Sequence, residues 1–267
     1  MEQQTKRLTV PEFAALKTAG QKITMLTAYD YPMARLLDEA GVDGILVGDS
    51  VSMVVQGHEN TLAVTLDEII YHAEMVGRAT RHALVVVDLP FPTYHVGVHE
   101  AIASAGRILK ETTAQAVKLE GGADQSETIA GLVAAGIPVM AHVGLRPQSV
   151  HQMGGYRVQR DEEVLLHDAE SAQQAGAFAI VLECVPAPIA AKISKALTIP
   201  TIGIGAGAEC DGQVLVTNDM LGLNGDKVPR FVKKYAAMKE MITDAASRYC
   251  EEIRAGTFPG EAQSYRK

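Results

Sequence analysis

Short, almost unbroken apolar runs alternate along this chain with longer stretches in which apolar residues recur every three or four positions. Eight runs read as strands: "KITMLTAYD" (22–30), "GILVGDS" (44–50), "ALVVVDLP" (83–90), "AVKLEGG" (116–122), "PVMAHVG" (138–144), "AIVLECV" (179–185), "PTIGIGAG" (200–207) and "QVLVTND" (213–219), the last with the weakest pattern. Runs apolar on both faces belong to parallel strands covered by helices. The intervening segments carry helix ends. Thr65 and Glu68 stand at capping-box spacing and open a helix to about residue 80, while Gly136 and Pro138 close another before the fifth strand. "EAGVDGILVGDS" and "QAGAFAIVLECV" repeat one pattern, a helix ending at Ala-Gly, a short turn, an apolar strand and a polar exit.

Eight strand–helix units predict a closed (β/α)8 TIM barrel rather than an open doubly wound sheet. A GxGxxG turn after the first strand would favour the open sheet, and the chain has none there. An extra N-terminal helix with Pro11 in its first turn precedes the barrel, and the tail after 226 reads as helical to about residue 255. Neither linker nor low-complexity stretch interrupts the 267 residues, so a single barrel domain over 1–267 is expected. Two connections are long and Gly-bearing, 52–65 and 145–162, and both are candidate lids.

Charge and cysteine content narrow the function classes. A net charge of −8 with scattered Lys and Arg leaves nothing to neutralise nucleic acid or an anionic membrane. Three cysteines without a CxxC pair fit a reducing compartment, and the N-terminus has no apolar signal core, so a cytoplasmic protein is expected.

The chemistry gathers where strands end. Asp30, Asp49, Asp88, Lys118 with Glu120, His142 and Glu183 each close an apolar run, and barrel active sites are built at that end. One Asp after a strand is most often a turn residue or helix cap; several strands ending in this way are a pattern. Alternation puts Lys118 and Glu120 on one face, opposite Val117 and Leu119, and pairs Asp88 with Val86. It pairs Asp49 with Val47, so Ser50 faces inward only where the chain has already turned. Carboxylates from different strands, without clustered His or Cys, describe a hard-cation site suited to Mg²⁺, with Asp49, Asp88 and Glu120 around the ion and Lys118 meeting a substrate carboxylate. His142 is either a neutral imidazole held in place or part of the substrate site. "GIGAG" (203–207) reads first as steric room and second as a phosphate cradle.

These residues, with "TAYD", "VGDS" followed by "QGH", "DLPF", "KLEGG", "H-x-GL-x-PQS", "GGY-x-VQ", "LECVP", "IGIGAG" with "DGQ-x-LV" and a late "PGE", resemble the ketopantoate hydroxymethyltransferases of pantothenate biosynthesis over nearly the whole chain. The resemblance implies a barrel of the phosphoenolpyruvate/pyruvate-binding type assembled as a homodecamer. It implies one-carbon transfer from 5,10-methylenetetrahydrofolate to 3-methyl-2-oxobutanoate, giving 2-dehydropantoate and tetrahydrofolate. Carried over by position, Asp49, Asp88 and Glu120 surround Mg²⁺. Asp49, Ser50, Asp88 and Lys118 meet the keto acid, with His142 grouped beside them, and Glu183 is the proton acceptor. A Mg²⁺-dependent keto-acid lyase or mutase of the same barrel superfamily is the rival, needing no folate, and a non-catalytic ligand-binding barrel is the more distant one. Alternation also separates Glu183 from Cys184: with Glu183 facing the mouth, Cys184 is expected to face the helical layer with Ile180 and Leu182.

Overall fold

The computed structural model describes residues 6–224 and 228–265, and these divide after Val216 into two compact units. The first unit is the barrel. Its strands are β1 Ile23–Thr27, β2 Gly44–Val47, β3 Leu84–Asp88, β4 Ala116–Glu120, β5 Val139–Gly144, β6 Ala179–Glu183, β7 Thr201–Ile204 and β8 Gly212–Leu215. Each pairs in parallel with the next, and β8 closes on β1 through Ile23 opposite Gly212 and Leu26 opposite Leu215. All eight expected strands are present.

Helices separate β1 to β7, and a loop alone joins β7 to β8: α1 Val10–Thr18 before the barrel, then α2 Tyr31–Glu39, α3 Val51–Val54, α4 Leu66–Ala79, α5 Val98–Glu111, α6 Ser126–Ala134, α7 Glu162–Gln174 and α8 Ala187–Ala196. α4 starts as its sequence dictates. Thr65 Oγ1 accepts the Glu68 N–H while Glu68 Oε2 accepts the Thr65 N–H at 2.8 Å, a complete capping box. The repeated Ala-Gly helix ends are equally literal, for Gly41 and Gly176 both take the left-handed backbone that stops a helix. Asp30 is a helix cap and nothing more, its Oδ1 accepting the Met33 N–H at 2.8 Å at the start of α2.

Strand alternation sorts the core into two layers. Ile45, Val47, Val85, Val87, Val117, Leu119, Ile180 and Leu182 face outward and pack with Ile69, Val76, Ile108, Leu132 and Ile193 from the helices. Inside the barrel lie Met25, Leu84, Val86, Met140 and Ile202, all buried, and above them at the C-terminal ends the inward positions turn polar. In "GIGAG" the glycines make room: a Cβ on Gly203 would press on Cys210, and one on Gly207 would overlap Ala187.

The second unit holds the short helix α9 Thr217–Met220 and α10 Met238–Ala255, ended by Gly256 in the left-handed conformation. The helix expected from residue 226 therefore begins only at Met238. Positions 225–227 lie outside the described residues, and 228–237 are not helical. Pro229 supplies no N–H and biases Val228 toward extended backbone, so helical composition alone overestimated the element.

Candidate functional site

β3, β4 and β6 each end on an inward-facing carboxylate and β5 carries His142 two residues before its last, Gly144; neighbouring register brings them together: Asp88 lies opposite Lys118, Glu120 opposite His142, and Gly144 opposite Glu183. Asp49 and Ser50 arrive differently. Val47 faces the helices, so alternation from it would send Asp49 outward as well; the chain instead turns at Gly48 and Asp49 swings over the mouth. A Cβ on Gly48 would collide with Ser50 Oγ. Asp49 is then fixed by its own N–H, which donates to Asp88 Oδ2 at 2.9 Å, and Ser50 Oγ pairs with the Tyr29 hydroxyl at 2.8 Å.

Lys118 is the cationic hub. Its ammonium lies 2.9 Å from Asp88 Oδ1 and 3.3 Å from His142 Nδ1. His142 in turn sets Nε2 3.3 Å from Glu183 Oε2, close but without hydrogen-bond alignment, and its Nδ1 is 3.9 Å from Glu120 Oε1. An ammonium can only donate, so Nδ1 accepts from it and the neutral ring carries its proton on Nε2, facing Glu183. Asp49, Asp88, Lys118, Glu120 and His142 are all at most 5% exposed; the Glu183 side chain, at 17%, is the open side of the cluster.

Two residues that alternation and charge could not single out tie the cluster together. Gln148, in the "PQS" turn after β5, donates from Nε2 to Asp49 Oδ2 at 2.9 Å and to the Leu89 carbonyl at 3.0 Å, while its backbone N–H donates to Glu120 Oε2 at 3.0 Å. Tyr94 donates its hydroxyl to Gln148 Oε1 at 2.8 Å and accepts the Glu120 N–H at 3.2 Å. Neutral loop side chains carry no charge signal along a sequence. The "PQS" motif was the one visible trace of Gln148.

Four carboxylates crowd around one ammonium here, and the acid–base behaviour follows. Burial, then the charge of Asp88, pushes Asp49 up to about 7 against the pull of Lys118 and Gln148. Burial, then Asp49, drives Glu120 well above the ordinary carboxylate range. Burial alone would lower the Lys118 ammonium, but Asp88, Glu120 and Asp49 outweigh it and hold the group charged. His142 is lowered by burial and then by Lys118, with Glu183 opposing, which keeps the imidazole neutral.

This donor set fits a divalent cation. It is all oxygen, and Glu120 Oε1 is buried with no hydrogen bond, as is Asp88 Oδ1 apart from its ion pair with Lys118. Among the described residues no group of three or more His, Cys, Asp and Glu side chains forms a ready-made metal cage. Mg²⁺ does not require one, since it keeps several waters and takes substrate oxygens beside one or two carboxylates.

Beyond Glu183 the alternation breaks. Cys184 adopts φ +50, the left-handed region, and is half-buried rather than packed in the helical layer with Ile180 and Leu182. The expectation for it fails because the strand ends one residue earlier. Its backbone is held nonetheless, the N–H donating to the Ile204 carbonyl at 2.9 Å and the carbonyl accepting the Gln159 N–H at 3.1 Å. Burial and then Glu183 push its thiol up to about 11, so it is not a thiolate nucleophile.

The closed parallel barrel, with acidic and basic side chains converging at its C-terminal mouth, has the fold of several solved structures at low sequence identity. A phosphoenolpyruvate phosphomutase from Streptomyces platensis subsp. rosaceus superposes with a TM-score of 0.65 at 16% identity, covering 97% of this chain and 92% of that one. A 2,3-dimethylmalate lyase, itself a member of the PEP mutase/isocitrate lyase superfamily, gives 0.61 at 18% identity, covering 94% and 89%. Sequence comparison narrows the class. The ketopantoate hydroxymethyltransferase family model matches residues 7–261. The 3-methyl-2-oxobutanoate hydroxymethyltransferase of Rhodopirellula baltica is 54% identical over 264 residues, 99% of this chain and 98% of its own, and that of Pelobacter propionicus is 53% identical over 268 residues, 99% and 100%. The chain belongs to the ketopantoate hydroxymethyltransferase family.

Proposed function

We propose that this protein transfers a hydroxymethyl group from 5,10-methylenetetrahydrofolate to 3-methyl-2-oxobutanoate, forming 2-dehydropantoate and tetrahydrofolate. The observation that carries the reading is a partly open carboxylate, Glu183, set beside a closed cluster of Asp49, Asp88, Glu120 and Lys118. The first can take a proton from carbon, and the second can hold an α-keto acid. The relatives' names support the same reaction.

Asp49, Asp88 and Glu120 would hold Mg²⁺, which when bound supplies Lewis-acid polarisation of the keto acid's oxygens. Lys118 meets the substrate carboxylate as a point charge, and Ser50, oriented by Tyr29, donates its hydroxyl to the same substrate. Glu183 accepts the C3 proton. His142 stands between Lys118 and Glu183, its Nε2 3.3 Å from the carboxylate, where it borders the substrate. One of the two carbon–nitrogen bonds of the folate-borne methylene opens, its nitrogen taking up the proton removed from C3, and the enolate carbon bonds to the methylene. Hydrolysis then breaks the second carbon–nitrogen bond, water giving its hydroxyl to the methylene carbon and its proton to the folate nitrogen. The burial of the cluster keeps bulk water from the ion pair during the first step.

The reading also takes in a cytoplasmic homodecamer; no described helix is long and apolar enough to cross a membrane. Incubation with Mg²⁺, 3-methyl-2-oxobutanoate and methylenetetrahydrofolate should yield 2-dehydropantoate and tetrahydrofolate in equal amounts. Folate-independent cleavage or rearrangement of a keto acid, with no transfer, would place the protein with the lyases and mutases instead.

A further inference from the structure

Glu183, its side chain 17% exposed, is the most open of the charged side chains of the cluster and marks a side from which a second reactant can reach the keto acid. The other members of the cluster are sealed, with Gln148 and Tyr94 packed against them. The 145–162 connection runs past that open side. At its start the Leu145 N–H donates to the Glu183 carbonyl at 2.8 Å, and near its end the Gln159 N–H donates to the Cys184 carbonyl at 3.1 Å. Between these anchors Gly154 and Gly155, both at positive φ, present Tyr156. The Tyr156 hydroxyl meets Met53 Sδ of α3 at 3.6 Å, so the two long connections touch above the mouth.

Three tyrosines feel the charges of the cluster, and they divide sharply. Tyr29 and Tyr94 are 4% and 1% exposed, with hydroxyls committed to Ser50 and Gln148. Tyr156 is 51% exposed, and its hydroxyl is committed to no side chain of the cluster. Burial, then Asp49, Glu183 and Glu120, push its phenol upward. An accessible aromatic ring therefore stands on a connection anchored at the Glu183 and Cys184 backbone, its hydroxyl against the polarisable Met53 thioether of α3, in a chain with 5% aromatic residues and no Trp.

We propose that Tyr156, backed by Met53, is the platform on which the planar pyrimidinone ring of the reduced folate stacks, bringing the folate-borne methylene over the keto acid beside Glu183. The assignment rests on the transfer reaction proposed above. A flat heteroaromatic ring and a rigid phenol gain from offset stacking at little cost in side-chain entropy, whereas the keto acid, small and charged, gains nothing from it. Tyr156 thus belongs to the second substrate alone.

The two substrates can be read separately, because exchange of the C3 hydrogen in heavy water needs the keto acid and Mg²⁺ but no folate. Tyr156→Ala should raise the KM for methylenetetrahydrofolate about tenfold or more, the scale of one lost stacking contact, while the keto-acid KM and folate-free exchange shift by less than about threefold. Tyr156→Phe, which keeps the ring, should stay within about threefold of wild type for both substrates. An unchanged folate KM in Tyr156→Ala overturns the proposal. So does a parallel loss of exchange, which would make the residue a lid on the keto acid, and so does a Phe variant as impaired as the Ala one. A wild-type protein that exchanges the hydrogen yet never consumes folate would instead refute the transfer reaction itself.

Discussion

Asp49 is a carboxylate that a bound cation would stabilise. Its folded value of about 7 lies above the ordinary 3.8, so through that interval the unfolded chain has already released a proton that the folded protein retains. Stability then falls as pH rises from near 4 to near 7, and the loss is complete above 7. Asp49→Asn removes the charge. In chelator it should melt above wild type at pH 8 by an amount on the order of a few kcal/mol, with the gap shrinking toward pH 4.5. Mg²⁺ should restore wild type and not the variant. Thermal denaturation at the two pH values, with and without the ion, checks this, and a pH-independent gap would refute it. At this scale the sequence was legible in proportion to charge. Asp88, Lys118, Glu120 and Glu183 declare themselves by sitting at inward positions of apolar strands. Asp49 and Ser50 do not, since Val47 faces the other way and only the turn at Gly48 delivers them. Gln148 and Tyr94, neutral and on loops, could be found only through the folded hydrogen-bond network.

The elements explain why Glu183 stands where it does. β5 and β6 lie side by side, and Gly144 at the end of β5 takes φ +96 against the Glu183 backbone, where a Cβ would overlap the Glu183 carbonyl oxygen. Gly144→Ala should destabilise the barrel by about 1–3 kcal/mol through strain and overlap. It should also displace Glu183, so that C3 exchange falls further than keto-acid affinity does; equal losses in both would mean that the glycine serves the fold alone. Strands were legible because doubly buried parallel strands are continuous apolar runs, and even β8, four residues long with its Gln213 exposed, kept enough of the pattern. The tail was overread because residues 228–237 have helical composition without the contacts or caps that make a helix. Cys184 was misplaced because alternation says nothing past a strand's last residue.

Across the barrel, each layer has one task. The outward apolar faces hold the helices, the inward apolar layer fills the interior, and the ring of strand ends above it is left for chemistry. Four carboxylates and one ammonium at that ring form a site short of positive charge and open at Glu183. The reading of this charge pattern as a keto-acid site with a carbon base makes one central claim, that Glu183 removes the C3 proton of 3-methyl-2-oxobutanoate. Hydrogen exchange at C3, followed by NMR in heavy water with Mg²⁺ and no folate, tests it directly. Wild type should exchange, and Glu183→Gln should still bind the keto acid while exchange slows by about a hundredfold or more, the scale of a lost general base. Exchange at the wild-type rate in Glu183→Gln would contradict the account.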